Sequence, residues 1–187
     1  YGGIDFIFSF DNFYRALDPI YLNILLTSGR IAGLTTLIAL ILAYPAAYAI
    51  SCAPTRRQPV FLFMVMLPFW SNYLIRTYAW IVLLNREGLI NNSLEGLGLI
   101  SEPLPLLYNE FAIITGLVYN YLPFVILAIY ASLSRLNPEI REASEDLGAS
   151  SLTTFLRVTL PLTMPGIAAG SIFVFVLSIG NFITPDL

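Results

Sequence analysis

The chain has 187 residues, 57% of them hydrophobic and only 11% charged, with a mean hydropathy of +0.77 and a formal net charge of −3. A soluble domain carries about 25% charged residues, so nine basic and twelve acidic side chains cannot cover a water-exposed surface, and the sequence reads as an all-α polytopic membrane protein. The absence of His and a single Cys, Cys52, exclude a disulfide framework and the usual Cys/His metal sites, and nine scattered Arg without any Lys argue against nucleic-acid binding.

Residues 1–20 mix aromatic and acidic side chains and are expected at the membrane interface. They open on Tyr1-Gly2-Gly3, with no Met and no charged stretch ahead of an apolar core, so the sequence reads as an excerpt of a longer protein without a visible signal peptide. Charge-free runs locate the spans, because an ionised group near the bilayer centre costs at least about 2.5 kcal/mol and a helix needs about 20 residues to cross. Four are expected, near 30–51, 59–84, 111–134 and 165–184, and together with the 135–164 loop they make residues 1–187 part of one transmembrane domain. Pro68 and Pro123 are expected to kink or unwind their spans where a path opens. A short turn carrying Arg56-Arg57 joins the first two spans. Asn85 to Glu110, with Gly88, Gly96, Gly98, Pro103 and Pro105, reads as an irregular segment holding one short helix.

Four spans put residues 1–20 and 85–110 on one face and 52–58 with 135–164 on the other. The second face has five Arg against four acids and the first has four Arg against eight acids. The positive-inside rule therefore points the second face to the cytoplasm, though only weakly.

The thirty-residue loop 135–164 is the most informative stretch. Asn137-Pro138 is a helix start, with an Asn cap and Pro at the first position. Glu139, Glu142, Glu145 and Asp146 follow, and Gly148 sits where a helix stops. A helix of about ten residues is too short to stand alone in water, so it needs a docking partner. A second start at Ser150-Ser151 leads through Leu152, Phe155 and Leu156 to Leu160-Pro161, an amphipathic return to the bilayer.

Glu142-Ala143-Ser144, three residues, Gly148, nine residues, then Val158-Thr159-Leu160-Pro161 resembles the "EAA" loop of ABC importer permeases, with Ser144 in place of the second Ala and Val158 in place of Ile. The stretch from Leu67 to Tyr78 (Leu-Pro-Phe-Trp-Ser-Asn-Tyr-Leu-Ile-Arg-Thr-Tyr) is similar to the third-span signature of the polyamine (spermidine/putrescine) branch. Leu117-Val118-Tyr119 with Leu122-Pro123-Phe124, Asp146 to Ser150, and Pro161 to Ile167 are similar too. Phosphonate, thiamine, iron and sulfate permeases share the loop.

The resemblance implies a type I ABC importer transmembrane-domain fold with about four of six spans present, in a bacterial plasma (inner) membrane. It implies that a dimer of ATPase subunits receives the loop helix as a coupling helix through Glu139, Glu142, Ala143, Ser144, Asp146, Leu147 and Gly148. A second related permease and an extracytoplasmic solute-binding protein would complete the system. No GxxxxGK[ST] phosphate loop is present, so the chain is expected to be a transport subunit and not an enzyme. It would bind no cofactor itself, with ATP and Mg on the partner ATPase.

Polar groups inside spans are the candidates for a solute path: Trp70, Asn72, Tyr73, Tyr119, Asn120 and Tyr121, with Asn181 and the outer Asp186. Aromatic rings, amides and an acid would suit a polyamine through cation–π contacts and hydrogen bonds. The same aromatics would equally serve as interfacial belts, and the Asn side chains as links between helices. Arg76 cuts against a polycation. It is expected to pair with an acid or snorkel as a gate or structural charge, unless the solute is an anion such as phosphonate or sulfate, in which case it becomes a ligand. Arg30 poses the same question. An intramembrane enzyme is poorly supported, since span interiors hold no nucleophile with a base at one depth; a membrane scaffold without transport is the remaining alternative.

Overall fold

The computed structural model describes residues 19–182, without the side chains of Tyr73 and Phe182; Asp186 lies outside the described residues. Every regular element among them is helical. In chain order they are α1 (Pro19–Cys52), α2 (Gln58–Met66), a 3-10 turn (Leu67–Trp70), α3 (Tyr73–Leu84), α4 (Leu89–Gly96), α5 (Glu110–Leu133), α6 (Pro138–Asp146), α7 (Ser151–Thr154), a π turn (Phe155–Thr159), α8 (Leu160–Leu162) and α9 (Met164–Phe182). Three helices are long and apolar enough to cross a membrane: Pro19–Cys52, Glu110–Leu133 and Met164–Asn181. A bent pair, Gln58–Trp70 with Leu74–Gly96, makes a fourth crossing if counted as one span.

Helices α1, α5 and α9 pack on one another around Ala39, Ala43 and Ala47 of α1, Val125 and Ile129 of α5, and Val174 of α9, all fully buried. The Ala residues recur every four positions, so they form one stripe on a helix. Without a hydrophobic drive between helices in lipid, small side chains hold them together by close van der Waals approach. Gly166 of α9 is the tightest case: a Cβ there would lie 2.5 Å from Ser132 Oγ and 2.6 Å from the Ala128 carbonyl of α5.

Helix α1 starts at Pro19, eleven residues before the span expected at 30–51. A charge such as Arg30 marks where apolar surroundings end and does not by itself end a helix. At 1.5 Å per residue its 34 residues reach about 51 Å, well beyond an apolar core of about 30 Å. Arg30 pairs with Glu110 at the start of α5, and both side chains are half exposed.

The stretch 59–84, expected as one span, is two helices whose axes meet at 85°. Pro68 lacks an N–H and disfavours helix in the residue before it, so α2 tightens into the 3-10 turn there. Ser71 and Asn72 are extended, and the Asn72 side chain caps α3 by accepting from the Leu74 N–H at 2.9 Å. Pro123, by contrast, is buried within a continuous α5. The turn between α1 and α2 is held by Gln58, whose amide donates to the Ser51 and Ala53 carbonyls and accepts from the Tyr130 hydroxyl of α5 at 2.8 Å.

Candidate functional site

The loop helix α6 packs on α7 and the π turn. Asn137 caps it, accepting from the Glu139 N–H at 3.1 Å, and Pro138 opens it. Gly148 closes it at φ +86°, a left-handed conformation that costs other residues about 1–2 kcal/mol. The Gly148 N–H reaches the Glu145 carbonyl and the Ala149 N–H reaches the Ser144 carbonyl, so the last carbonyls of the helix are satisfied.

Between these stops Glu139, Glu142, Ala143, Glu145, Asp146 and Leu147 are all exposed, and Leu147 is 89% exposed. Ile140, Ala143 and Leu147 share a face at helical spacing, flanked by acids. Only Ser144 is partly covered, and its hydroxyl bonds the buried Thr154 hydroxyl at 3.0 Å. The seven coupling candidates thus lie on one short capped helix and its C-terminal stop, Leu147 and Gly148, which together present apolar and acidic groups outward. Arg141 on the same helix is exposed as well. Slight burial lowers the Arg141 pKa, but the side chains of Tyr48, Cys52 and Glu145 outweigh it, leaving the pKa above its usual value.

The path candidates do not form one constellation. Arg76 and Tyr119 meet in a cleft of about 180 Å³ lined also by Met64, Pro68, Phe69 and Pro123. They also line an adjoining space of about 160 Å³ with Trp80. The Arg76 guanidinium lies 4.6 Å from the Phe69 ring centre, a cation–π contact. No acid among the described residues lies within ion-pair distance of it, and its Nε is buried without a partner. Among the described residues, what Arg76 contacts is an aromatic face rather than an acid.

Trp80 packs edge-on against Tyr119 at 5.5 Å. On the side of α5 facing α9, Tyr121 receives a bond from the Asn181 amide and packs on Phe173. Trp70 is 77% exposed and packs on Phe63, while Asn72 is an exposed helix cap. Asn120 has a buried Oδ1 with no partner. Tyr73 has no described side chain and Asp186 is outside the described residues, so neither is placed.

Sequence reasoning missed Phe69 and Trp80 as partners of Arg76 and Tyr119, although Phe69 sits within the quoted 67–78 motif. It also missed Tyr44 and Tyr48, whose four-residue spacing on one helix face was the available signal. No group of three or more His, Cys, Asp or Glu side chains able to hold a metal occurs among the described residues.

A family model described as "Binding-protein-dependent transport system inner membrane component" matches residues 44–187. The "Spermidine/putrescine transport system permease protein PotB" of Escherichia coli (strain K12) is 41% identical over 184 residues, covering 98% of this chain and 67% of that protein. The protein of the same description from Haemophilus influenzae is 40% identical, covering 97% of this chain and 64% of that one. The chain thus spans about two thirds of the length of these relatives. A solved structure, "Crystal structure of a bacterial ABC transporter involved in the import of the acidic polysaccharide alginate", is similar with a TM-score of 0.72 at 20% identity, covering 97% of this chain and 64% of that one. At that identity the likeness speaks for the fold alone, that of an ABC importer transmembrane domain.

Proposed function

The chain belongs to the family of binding-protein-dependent transport system inner membrane components, and from that premise we propose that it is a permease subunit of an ATP-driven polyamine importer, coupled through α6 to a separate ATPase. The observation that carries the solute class is the 41% identity, across 98% of the chain, to a spermidine/putrescine permease. The exposed, acid-rich and sharply capped α6 supports the coupling role: its charge suits a basic groove, and Ala143 allows close approach. In this reading residues 52–58 and 135–164 face the cytoplasm. ATP and magnesium belong to the ATPase dimer, a second related permease completes the path, and a loaded binding protein docks on the opposite face.

The mechanism follows from rigid bodies and a fixed path. Closure of the ATPase dimer on ATP displaces α6, and the attached helices rock about the permease–permease interface, opening the cavity alternately to each side. Tyr119 and Trp80 offer ring faces to a passing ammonium, and the orphaned Asn120 Oδ1 is an acceptor that a cationic donor would satisfy. Arg76 is a structural charge here. Its pairing with the Phe69 ring holds the cleft narrow; 180 Å³ is below the roughly 300–1,000 Å³ of an open small-molecule site.

A second reading rests on Arg76 itself. A guanidinium with no acid partner among the described residues, in a mostly apolar cleft, is a natural ligand for an oxyanion such as a phosphonate or sulfate. Uptake into proteoliposomes holding the full-length permease, its partner permease, the ATPase and the binding protein separates the two. Polyamine import predicts ATP-dependent accumulation of labelled spermidine or putrescine that excess phosphonate leaves unchanged. Accumulation of the oxyanion alone, lost in Arg76→Gln, overturns the polyamine reading. Association with the ATPase but no ATP-dependent uptake of any solute would leave the scaffold.

A further inference from the structure

Helix α6 touches the rest of the described chain mainly through residues 151–159, that is α7 and the π turn. Apart from the short link to α5, a displacement of α6 is carried by packing into that segment. Its buried ridge is Thr154, Thr159 and Thr163, spaced by five and then four residues. The five-residue step is the π turn, where the Leu160 N–H bonds back to the Phe155 carbonyl. It lies directly ahead of Pro161, whose ring would clash with the Arg157 carbonyl in a regular helix; widening the turn removes the clash and keeps the threonines on one side.

Phe155 opens this turn and is wedged between two rings of α1. It meets Tyr44 at 5.6 Å and 85°, and Tyr48 at 5.6 Å and 84°, both edge to face. Thr163, at the far end, donates back to the Thr159 and Leu160 carbonyls and so accepts from the Tyr44 hydroxyl at 2.9 Å. Tyr44 thus spans the whole turn.

We propose that Phe155, clamped by Tyr44 and Tyr48, is the positioning residue that delivers a displacement of α6 to α1. The inference rests on the coupling role of α6 proposed above and extends it to a receiver inside the chain. A wedge packed on two sides cannot absorb a push by compression, because packed interiors pass on strain. The Ser144–Thr154 hydroxyl bond locks α6 to the segment that carries Phe155.

The test uses the full complex in proteoliposomes and reads solute imported per ATP hydrolysed. Phe155→Ala is expected to keep the ATPase bound and its basal hydrolysis within about twofold, yet lower the transport-to-hydrolysis ratio at least fivefold. Phe155→Tyr, which keeps the ring, is expected to restore the ratio to within twofold. Phe155→Leu keeps most of the volume without an edge-to-face ring and should fall at least threefold; it stands in if the Ala variant does not assemble. An unchanged ratio in Phe155→Leu overturns the inference, and so does a loss of ATPase binding in proportion to the loss of transport, which would make Phe155 a merely structural residue. A wild-type complex in which the permease never retains the ATPase would instead overturn the coupling reading beneath it.

Discussion

Asn91 is fully buried in the segment between α3 and α5, where its amide donates to the Asn85 and Leu104 carbonyls and accepts from the Leu104 N–H at 3.0 Å. Removing that side chain strands backbone groups at about 1–3 kcal/mol each. Asn91→Ala should therefore raise the rate of limited proteolysis within residues 97–109 about tenfold, while the spans stay intact; an unchanged cleavage rate would show that the loop is held otherwise. Gly166 faces a backbone carbonyl that cannot move aside, so Gly166→Val should cost about 1–3 kcal/mol as an overpacked contact and lower the unfolding temperature in nanodiscs by several degrees. Gly33→Ala, with open space at its Cβ, should be neutral or slightly stabilising. These single residues show where sequence stops being legible. The Asn at position 91 is one of a polar Asn91-Asn92 pair in the sequence, and only the fold says which is buried. Likewise Arg76 was visible as a charge inside a span, but its ring partner depended on an 85° bend that periodicity does not encode.

Elements were more legible wherever a local rule acts alone. Asn137-Pro138 and Gly148 bounded α6 in the sequence because caps and left-handed stops are backbone chemistry confined to a few residues. Gly148→Ala should cost about 1–2 kcal/mol in a left-handed conformation and loosen the end of α6, halving or worse the ATPase retained on purification; full retention would mean that the stop is not needed for docking. The broken span was half legible. Pro68 announced a disturbance, but a cap at Asn72 that turns the chain by 85° needs Ser71 and Asn72 to leave the helix together. Pro123 carried the same signal, yet α5 runs through it as a continuous helix packed on α1 and α9. The π turn left its trace in the five-then-four spacing of Thr154, Thr159 and Thr163, which reads as ordinary amphipathicity unless the return to the bilayer is already known.

At the scale of the whole molecule, composition alone placed the chain in a membrane, and the EAA-like spacing pointed to the family that residues 44–187 match. Hydropathy could not reveal which spans touch, because helix contacts in lipid depend on small residues such as Ala39, Ala43 and Ala47 and not on greasiness. An acid-rich α6 docked on a basic groove should bind by charge, so ATPase retention should fall as salt rises from about 0.05 to 0.5 M, over which the screening length shrinks severalfold. Salt-independent retention would point to the apolar Ile140, Ala143 and Leu147 face as the sole grip. If α6 drives this permease, a charge reversal on α6 must uncouple ATP hydrolysis from the loaded binding protein. ATP hydrolysis by the complete complex in nanodiscs would be followed while spermidine-loaded binding protein is titrated, with the wild type beside Glu142→Arg. Stimulated hydrolysis is expected in the wild type and loss of that stimulation in Glu142→Arg, with the permease still folded in the membrane. Equal stimulation and normal transport in the two would contradict a drive through α6.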